Sequence, residues 1–236
     1  PILGRHQEIL DLTRPEVQAF EWQVIDKTLR PNPDISYVKW DCNRYITQPG
    51  SGYLQPAEQS HLWIDYNWAL YRLMERFSKE FPNVMAMLCA GGSGRVDYGA
   101  LPYFHSFWPS DNTDPLGRIK IQWGFSHFFP ASTISAHVTR MGKRHLKLAI
   151  DVALSGAFGI DLALDKATAE ERVQIADAVK LYKASIRPLV MQGELYRLVS
   201  PYEHPMASLS YVSTDKNDAV VYLYQIQDGS VPQVIL

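Results

Sequence analysis

Short apolar runs alternate with longer amphipathic stretches over most of the chain. Residues 84–89 are apolar throughout, which is typical of a strand covered on both faces in a parallel sheet. Between residues 57 and 79, Trp63, Leu70, Met74 and Phe77 recur at spacings that place them on one face of a helix. The pattern predicts strands at residues 8–12, 35–40, 84–89, 103–108, 133–138 and 160–164, and helices at residues 57–79, 116–127, 145–158 and 167–187.

The helix predicted at residues 167–187 carries signals at both of its ends. Thr168 is a suitable N-cap, and Glu171, three residues later, completes the pattern of a capping box. Pro188 directly follows the last predicted helical residue, and we expect it to end the helix.

The pattern changes after Pro188. Three alternating segments follow one another without an intervening helix, with a turn signal before the last of them: residues 194–199, 208–213 and 219–226. Such a series predicts antiparallel sheet, whereas the repeated strand-helix units before it predict a parallel α/β sheet or barrel.

We therefore expect two domains. Residues 1–190 are predicted to form a (β/α)8 TIM-type barrel that is truncated at its N-terminus, and residues 191–236 to begin an antiparallel β-sandwich domain. The first part supplies only about five or six strand-helix units where a closed barrel has eight. We expect a partial chain of a longer protein, and we expect the 236-residue chain alone to be inactive.

Composition narrows the classes of function. The chain is 46% hydrophobic and 20% charged, with a net charge of −2, which gives no electrostatic reason to expect a nucleic acid or a membrane surface as partner. No apolar run approaches the roughly 18 to 20 residues that span a bilayer. We expect a soluble protein, and we leave open its compartment (cytoplasmic, periplasmic or secreted) and whether it forms a homo-oligomer.

Neither the cysteines nor the histidines suggest a metal site. The two cysteines, Cys42 and Cys89, lack the spacing of a zinc motif, and His105, His127 and His137 are not spaced as metal ligands. We expect no metal and no organic cofactor.

Three polar clusters follow predicted strands: residues 39–41, 89–97 and 108–114. In a parallel barrel, groups at the carboxyl ends of strands meet on one rim. A single aspartate after a strand is often a helix cap or turn residue, but three such clusters favour a shared site. Asp41 and Asp111 each lie close to a tryptophan, and two such carboxylates are what cleavage of a glycosidic bond requires.

The clusters resemble the motifs of glycoside hydrolase family 36, the microbial α-galactosidases. Lys39-Trp40-Asp41-Cys42-Asn43-Arg44 resembles the K-W-D-x-N-R motif of that family. Residues 89–97 are similar to its C-x-G-G-x-G-R-x-D segment, and residues 108–114 are similar to its W-x-S-D-x-x-D segment. With flanking similarity from Leu10 onward, the resemblance covers nearly the whole chain.

This resemblance implies a role for each matching position. Asp41 would be the nucleophile and Asp111 the general acid/base of a retaining mechanism, with carboxyl groups about 5 to 5.5 Å apart. Trp108 would bound the sugar pocket, and Asp97 would bind sugar hydroxyls or hold Arg95. The complete set of substrate-binding residues implied by the resemblance is Lys39, Trp40, Asn43, Arg44, Cys89, Gly92, Arg95, Asp97 and Trp108.

The expected substrate is an α-galactoside oligosaccharide of the raffinose or melibiose type. The same scaffold could instead act on α-N-acetylgalactosaminides or transfer galactose to another sugar. A non-catalytic carbohydrate-binding fragment is the alternative from another class. Residues 138–145 depart from the family, because many relatives carry a P-N-H-Q-T-like stretch near this point.

Overall fold

The computed structural model describes residues 6–43, 45–47 and 49–227. The chain divides into two compact units, Pro1–Phe107 and Trp108–Leu236. None of the helices in the described ranges is long and apolar enough to cross a membrane.

The first unit is built on a three-stranded parallel sheet. Its strands are β1 (Tyr37–Asp41), β2 (Met85–Cys89) and β3 (Ser106–Phe107), in that order, and Asp41 pairs with Cys89 in the register. The helices of this unit are α1 (Pro15–Leu29), the 3-10 helix Pro56–His61, and α2 (Leu62–Glu80). The strands predicted at residues 35–40 and 84–89 and the helix predicted at 57–79 are confirmed to within a few residues.

Near the start of the chain one prediction fails and one helix was not predicted. Residues 8–12 form no strand, because their short apolar alternation finds no neighbouring strand among the described residues. Helix α1 was not predicted at all. Its apolar residues do not recur on one helical face, so the sequence shows little helical periodicity there. In the structure, Trp22 and Leu29 are the buried residues of this helix.

The second unit begins with strand-helix alternation. Helix α3 (Pro115–Phe125) precedes β4 (Ser135–Val138), which pairs in parallel with β5 (Ala157–Ile160), and α4 (Leu146–Ala153) connects the two strands. The strand predicted at residues 160–164 is therefore misplaced. Ser155 and Gly156 end the helix earlier than its apolar residues suggested, and the strand follows at once.

The helix after β5 runs further than predicted. Its first part, α5 (Ala169–Leu181), begins with the predicted capping box between Thr168 and Glu171. It then passes through a π-helical turn (Tyr182–Ile186) into α6 (Arg187–Gln192), so the prediction that Pro188 ends the helix is wrong. Proline lacks the N–H that an α-helical interior requires, and the π turn just before it changes the local hydrogen-bonding pattern.

The chain ends in the predicted antiparallel sheet. Strands β6 (Glu194–Val199), β7 (Met206–Val212) and β8 (Ala219–Gln225) are adjacent in sequence and in space. The α/β class is thus confirmed by parallel strands joined through helices, with an antiparallel sheet after them.

Buried tyrosines attach this sheet to the α/β part of the second unit. The hydroxyls of Tyr211 and Tyr222 donate to the carbonyls of Ser155 and Leu154 at 2.8 and 2.9 Å. Burial raises the pKa of both phenols, so they remain neutral donors. Because the sheet and the helices share one hydrophobic core, the domain boundary near residue 190 stays a prediction.

Candidate active site

The end of β1 presents a cation beside a carboxylate. Lys39 and Asp41 lie on the same face of the strand, since side chains alternate, and Lys39 Nζ is 3.7 Å from Asp41 Oδ2. Trp40 faces the other way and packs edge-on against Phe77 and Phe104, with ring centroids 5.9 Å apart in each case. The tryptophan therefore anchors β1 in the core while its two neighbours remain available for chemistry.

Cys89 lies directly across from Asp41 at the end of β2. Its side chain is buried, and burial together with a hydrogen bond to Asp41 raises the pKa of the thiol. The thiol therefore stays protonated and donates to the carboxylate. The Asp41 carboxylate is thus contacted by an ammonium group and by a hydrogen-bond donor.

The turn after β2 is fixed against β1 through Asn43. Its side-chain oxygen accepts from the backbone N–H of Gly91 at 2.8 Å. Gly91 and Gly92 both have positive φ, at 61° and 91°, a conformation that favours glycine. Asn43 therefore shapes the backbone next to Cys89. Arg44, its predicted companion in the site, lies outside the described residues.

Arg95 and Asp97 have protein partners in the first unit. Asp97 accepts from the Tyr71 hydroxyl and from the backbone N–H of Ala100, both at 2.8 Å. Desolvation and the bond to Asp97 raise the pKa of Tyr71 to about 12. Arg95 donates to the Tyr66 hydroxyl at 3.2 Å and lies over its ring. These contacts tie the loop after β2 to helix α2.

In the second unit, Trp108 orients the other predicted catalytic carboxylate. Its indole N–H donates to Asp111 Oδ1 at 3.1 Å. The Trp108 ring packs edge-on against His137, with centroids 4.8 Å apart. The carboxylate is thus held by a ring that is itself fixed by packing.

Sequence reasoning missed Arg118, which packs against Trp108 in this cluster. Only 2% of its surface is exposed, its guanidinium lies 4.5 Å from the Trp108 ring centroid, and it donates to the Ser135 carbonyl. Desolvation lowers the pKa of Arg118 to about 10, an effect that the charge of Asp111 opposes. Arg118 remains charged near neutral pH. The sequence offers no clear signal for this residue, because helix α3 also carries Lys120 and Gln122.

The segment after β4 braces the loop carrying Asp111. The hydroxyls of Thr113 and Thr139 are 2.8 Å apart, and Arg144 Nε donates to Asp114 Oδ1 at 3.2 Å. Gly142 has a φ of 76° and lies against the Asp114 carboxylate. Residues 139–144 therefore hold the loop after Trp108 through side chains and close backbone contact.

Replacing Gly142 with alanine should destabilise this brace. A Cβ at this position would overlap Asp114 Oδ1, and an L-residue at this φ is itself strained. We expect a loss of about 2 to 3 kcal/mol of stability, read as a fall of several degrees in melting temperature. Gly50→Ala is the matched control, because a Cβ there has nothing within 4 Å. Equal melting temperatures for the two variants would contradict the brace.

Comparison with known proteins places the chain in one family. The Melibiase family model matches residues 1–193. Alpha-galactosidase AgaA from Geobacillus stearothermophilus is 38% identical over 229 residues, which cover 94% of this chain and 31% of that protein. Alpha-galactosidase 2 from Hypocrea jecorina is 34% identical over 235 residues, covering 95% of this chain and 30% of that protein.

Solved structures agree with the sequence comparison. The crystal structure of AgaA matches with a TM-score of 0.92 and 38% identity, covering 98% of this chain and 33% of its own. That of the alpha-galactosidase from Lactobacillus brevis matches with a TM-score of 0.93 and 33% identity, covering 99% and 32%. The chain thus spans about a third of the length of the relatives it matches. It belongs to the melibiase family, among the α-galactosidases of glycoside hydrolase family 36.

Proposed function

We propose that the whole protein carrying this sequence is a retaining α-galactosidase that releases terminal α-galactose from oligosaccharides of the raffinose type. The observation that carries the proposal is the environment of Asp41 at the end of β1. Lys39 Nζ lies 3.7 Å from its carboxylate and the protonated Cys89 donates to it, so a cation and a hydrogen-bond donor both contact the proposed nucleophile. Membership of the melibiase family supports the same reaction.

The proposed reaction is a double displacement. Asp41 attacks the anomeric carbon while Asp111, oriented by the Trp108 indole, protonates the departing glycosidic oxygen. The galactosyl group is then bound covalently to Asp41. Asp111 next accepts a proton from water, which attacks the anomeric carbon and frees Asp41, so the product keeps the α-configuration. We assign contacts with the galactosyl hydroxyls to Lys39, Cys89, Gly92 and Trp108.

Solved complexes of a relative support the substrate class and the carboxylate pair. Variants of AgaA have been crystallised in complex with stachyose and with raffinose. The first carries a substitution of one aspartate and the second a substitution of another. Those two aspartates are separated by as many residues as separate Asp41 from Asp111.

The proposal extends to the architecture of the whole protein. Strands β1 to β5 would be part of a (β/α)8 barrel, with Asp41 and Asp111 on its carboxyl rim, and β6 to β8 would begin a C-terminal β-sandwich. The TM-scores of 0.92 and 0.93 to family structures support this placement.

The test is hydrolysis of an aryl α-galactoside by the whole protein, with the anomeric form of the first product followed by NMR. We expect α-galactose to appear first and then to mutarotate. Release of β-galactose, or no hydrolysis, would overturn the proposal. Parallel assays with the aryl α-N-acetylgalactosaminide and with a high concentration of acceptor sugar distinguish the two related activities. A parallel assay of the 236-residue chain tests the expectation that it is inactive alone.

A further inference from the structure

The structure assigns Arg118 as a positioning residue for Asp111, acting through the indole of Trp108. The assignment rests on the proposed function, because it gives Arg118 a part in the proton transfer for which Asp111 is proposed. The three side chains form a continuous series of contacts in the second unit. The guanidinium lies over the indole ring, and the indole N–H donates to the carboxylate.

Packing alone gives no reason for a guanidinium at position 118. The side chain is almost fully buried, and its Nη1 donates to the Ser135 carbonyl at 3.1 Å. Among the residues that the structure describes, its Nε and Nη2 atoms have no hydrogen-bond partner. Burying a charge with unpaired donors costs free energy, and an apolar side chain of similar length would fill the space without that cost. The charge of Arg118 therefore needs a reason other than stability.

The group that this charge contacts is the ring of Trp108. The guanidinium carbon lies 4.5 Å from the ring centroid, and Trp108 is itself buried. A cation over the face of an indole is attracted by the ring quadrupole, and the attraction is stronger where water is excluded. Arg118 keeps its charge near neutral pH, although desolvation lowers its pKa to about 10. An electrostatic contact thus holds the face of the ring.

A second contact holds the ring from another side. His137 packs against Trp108 at an interplanar angle of 63°, and a Cβ at Gly159 would come within 2.5 Å of the His137 ring. His137 lies in β4, and the first residue of that strand, Ser135, accepts the hydrogen bond from Arg118. Strand β4 therefore supports both neighbours of the indole, and the close packing leaves the ring little freedom to turn.

The direction of the indole N–H determines which oxygen of Asp111 carries the acidic proton. The N–H donates to Oδ1 at 3.1 Å, so Oδ1 is an acceptor. A protonated carboxyl group has a single O–H donor, and the oxygen that accepts the indole hydrogen bond is its carbonyl oxygen. The proton is then carried by Oδ2 and passes from there to the departing glycosidic oxygen. Without Arg118 the indole would be free to turn, and the proton would be divided between the two oxygens.

The test removes the charge in the whole protein and compares two leaving groups. We expect Arg118→Met to lower kcat/KM for raffinose about 10 to 100-fold, the scale of a displaced catalytic group. For a dinitrophenyl α-galactoside the loss should stay below about threefold, because that leaving group needs no proton. Lys120→Met is the matched control, since it removes an exposed cation of the same helix that lies 6.0 Å from the Tyr202 ring centroid. It should leave both values unchanged.

A variant that keeps the charge separates positioning from packing. Arg118→Lys retains a cation but loses the planar guanidinium, and it should lose only about two- to fivefold, again on raffinose alone. If Arg118→Met yields no folded protein, this smaller selective loss decides the question. Equal losses on the two substrates, or no loss on raffinose, would overturn the role.

A double variant tests whether Arg118 acts through the indole. Trp108→Phe removes the N–H and should lower kcat/KM more for raffinose than for the dinitrophenyl galactoside. Adding Arg118→Met should then cost less than about threefold on raffinose, because the hydrogen bond that Arg118 supports is already absent. Losses that multiply would contradict the assignment. A native protein that cleaves neither substrate refutes the proposed function and this role with it, whereas native activity without these selective losses refutes this role alone.

Discussion

Asp41→Gly should lower turnover of an aryl α-galactoside by about 10⁴-fold or more in the whole protein, the scale expected when a catalytic nucleophile is removed. Glycine leaves no carboxylate to attack the anomeric carbon, and it opens a space where the carboxylate stood. Azide added at high concentration should enter that space and restore turnover. The product should be the β-galactosyl azide, because azide attacks from the face that Asp41 used. The measurement is initial rate with and without azide, with the product identified by NMR.

The control for this variant is Asp34→Gly, an exposed turn residue that precedes β1. It removes one carboxylate from the same unit without touching Lys39 or Cys89, and it should retain normal activity. Near-normal activity of Asp41→Gly would refute the mechanism. An azide product of retained configuration would instead assign Asp41 the role of acid/base.

The sequence was most informative where local rules and long-range contacts agree. The apolar run of β2 and the polar residues that follow β1 and β2 predicted both strands. The pair of Thr168 and Glu171 predicted the start of α5 because a capping box is complete within four residues. In each case the residues that determine the element lie close together in sequence.

The features that sequence reasoning missed depend on contacts between distant segments. Arg118 is held by Trp108 and by the Ser135 carbonyl, and no spacing in the chain reveals that arrangement. The close approach of Gly142 to Asp114 likewise joins segments almost thirty residues apart. The local rule that a proline ends a helix predicted an end at Pro188, but the helix continues through the π turn into α6.

The sequence predicts that residues 138–145 depart from the family, and the contacts of residues 139–144 would let the Asp111 loop keep its position despite that change. In residues 139–144 the contacts to the Asp111 loop come from Thr139, Arg144 and the backbone of Gly142. A hydroxyl pair, an ion pair and close packing act on the same loop, so losing any one of them leaves the others in place. The loop position can be kept while the sequence of the supporting turn changes.

Asp111→Ala should give a loss of activity that depends on the leaving group. A general acid contributes about 10² to 10⁴-fold when the departing oxygen needs a proton. We expect a loss of about 10³-fold on raffinose and a much smaller loss on a dinitrophenyl α-galactoside, whose leaving group departs without protonation. The alkaline limb of the pH profile for kcat/KM should also disappear, because that limb reports deprotonation of the essential acid. Both effects are measured from initial rates across pH.

Asp165→Ala is the matched control, since Asp165 is an exposed aspartate of the same unit and lies in the short 3-10 helix Leu164–Lys166. It should leave both substrates and the pH profile unchanged. Equal losses on raffinose and on the dinitrophenyl galactoside would mean that Asp111 contributes to binding or to structure. In that case the Trp108 indole would be holding a carboxylate that orients the sugar, and the proton donor would have to be sought among other residues of the whole protein. A selective loss on raffinose with a flattened alkaline limb distinguishes the acid from every such alternative, because only the proton donor matters more as the leaving group becomes more basic.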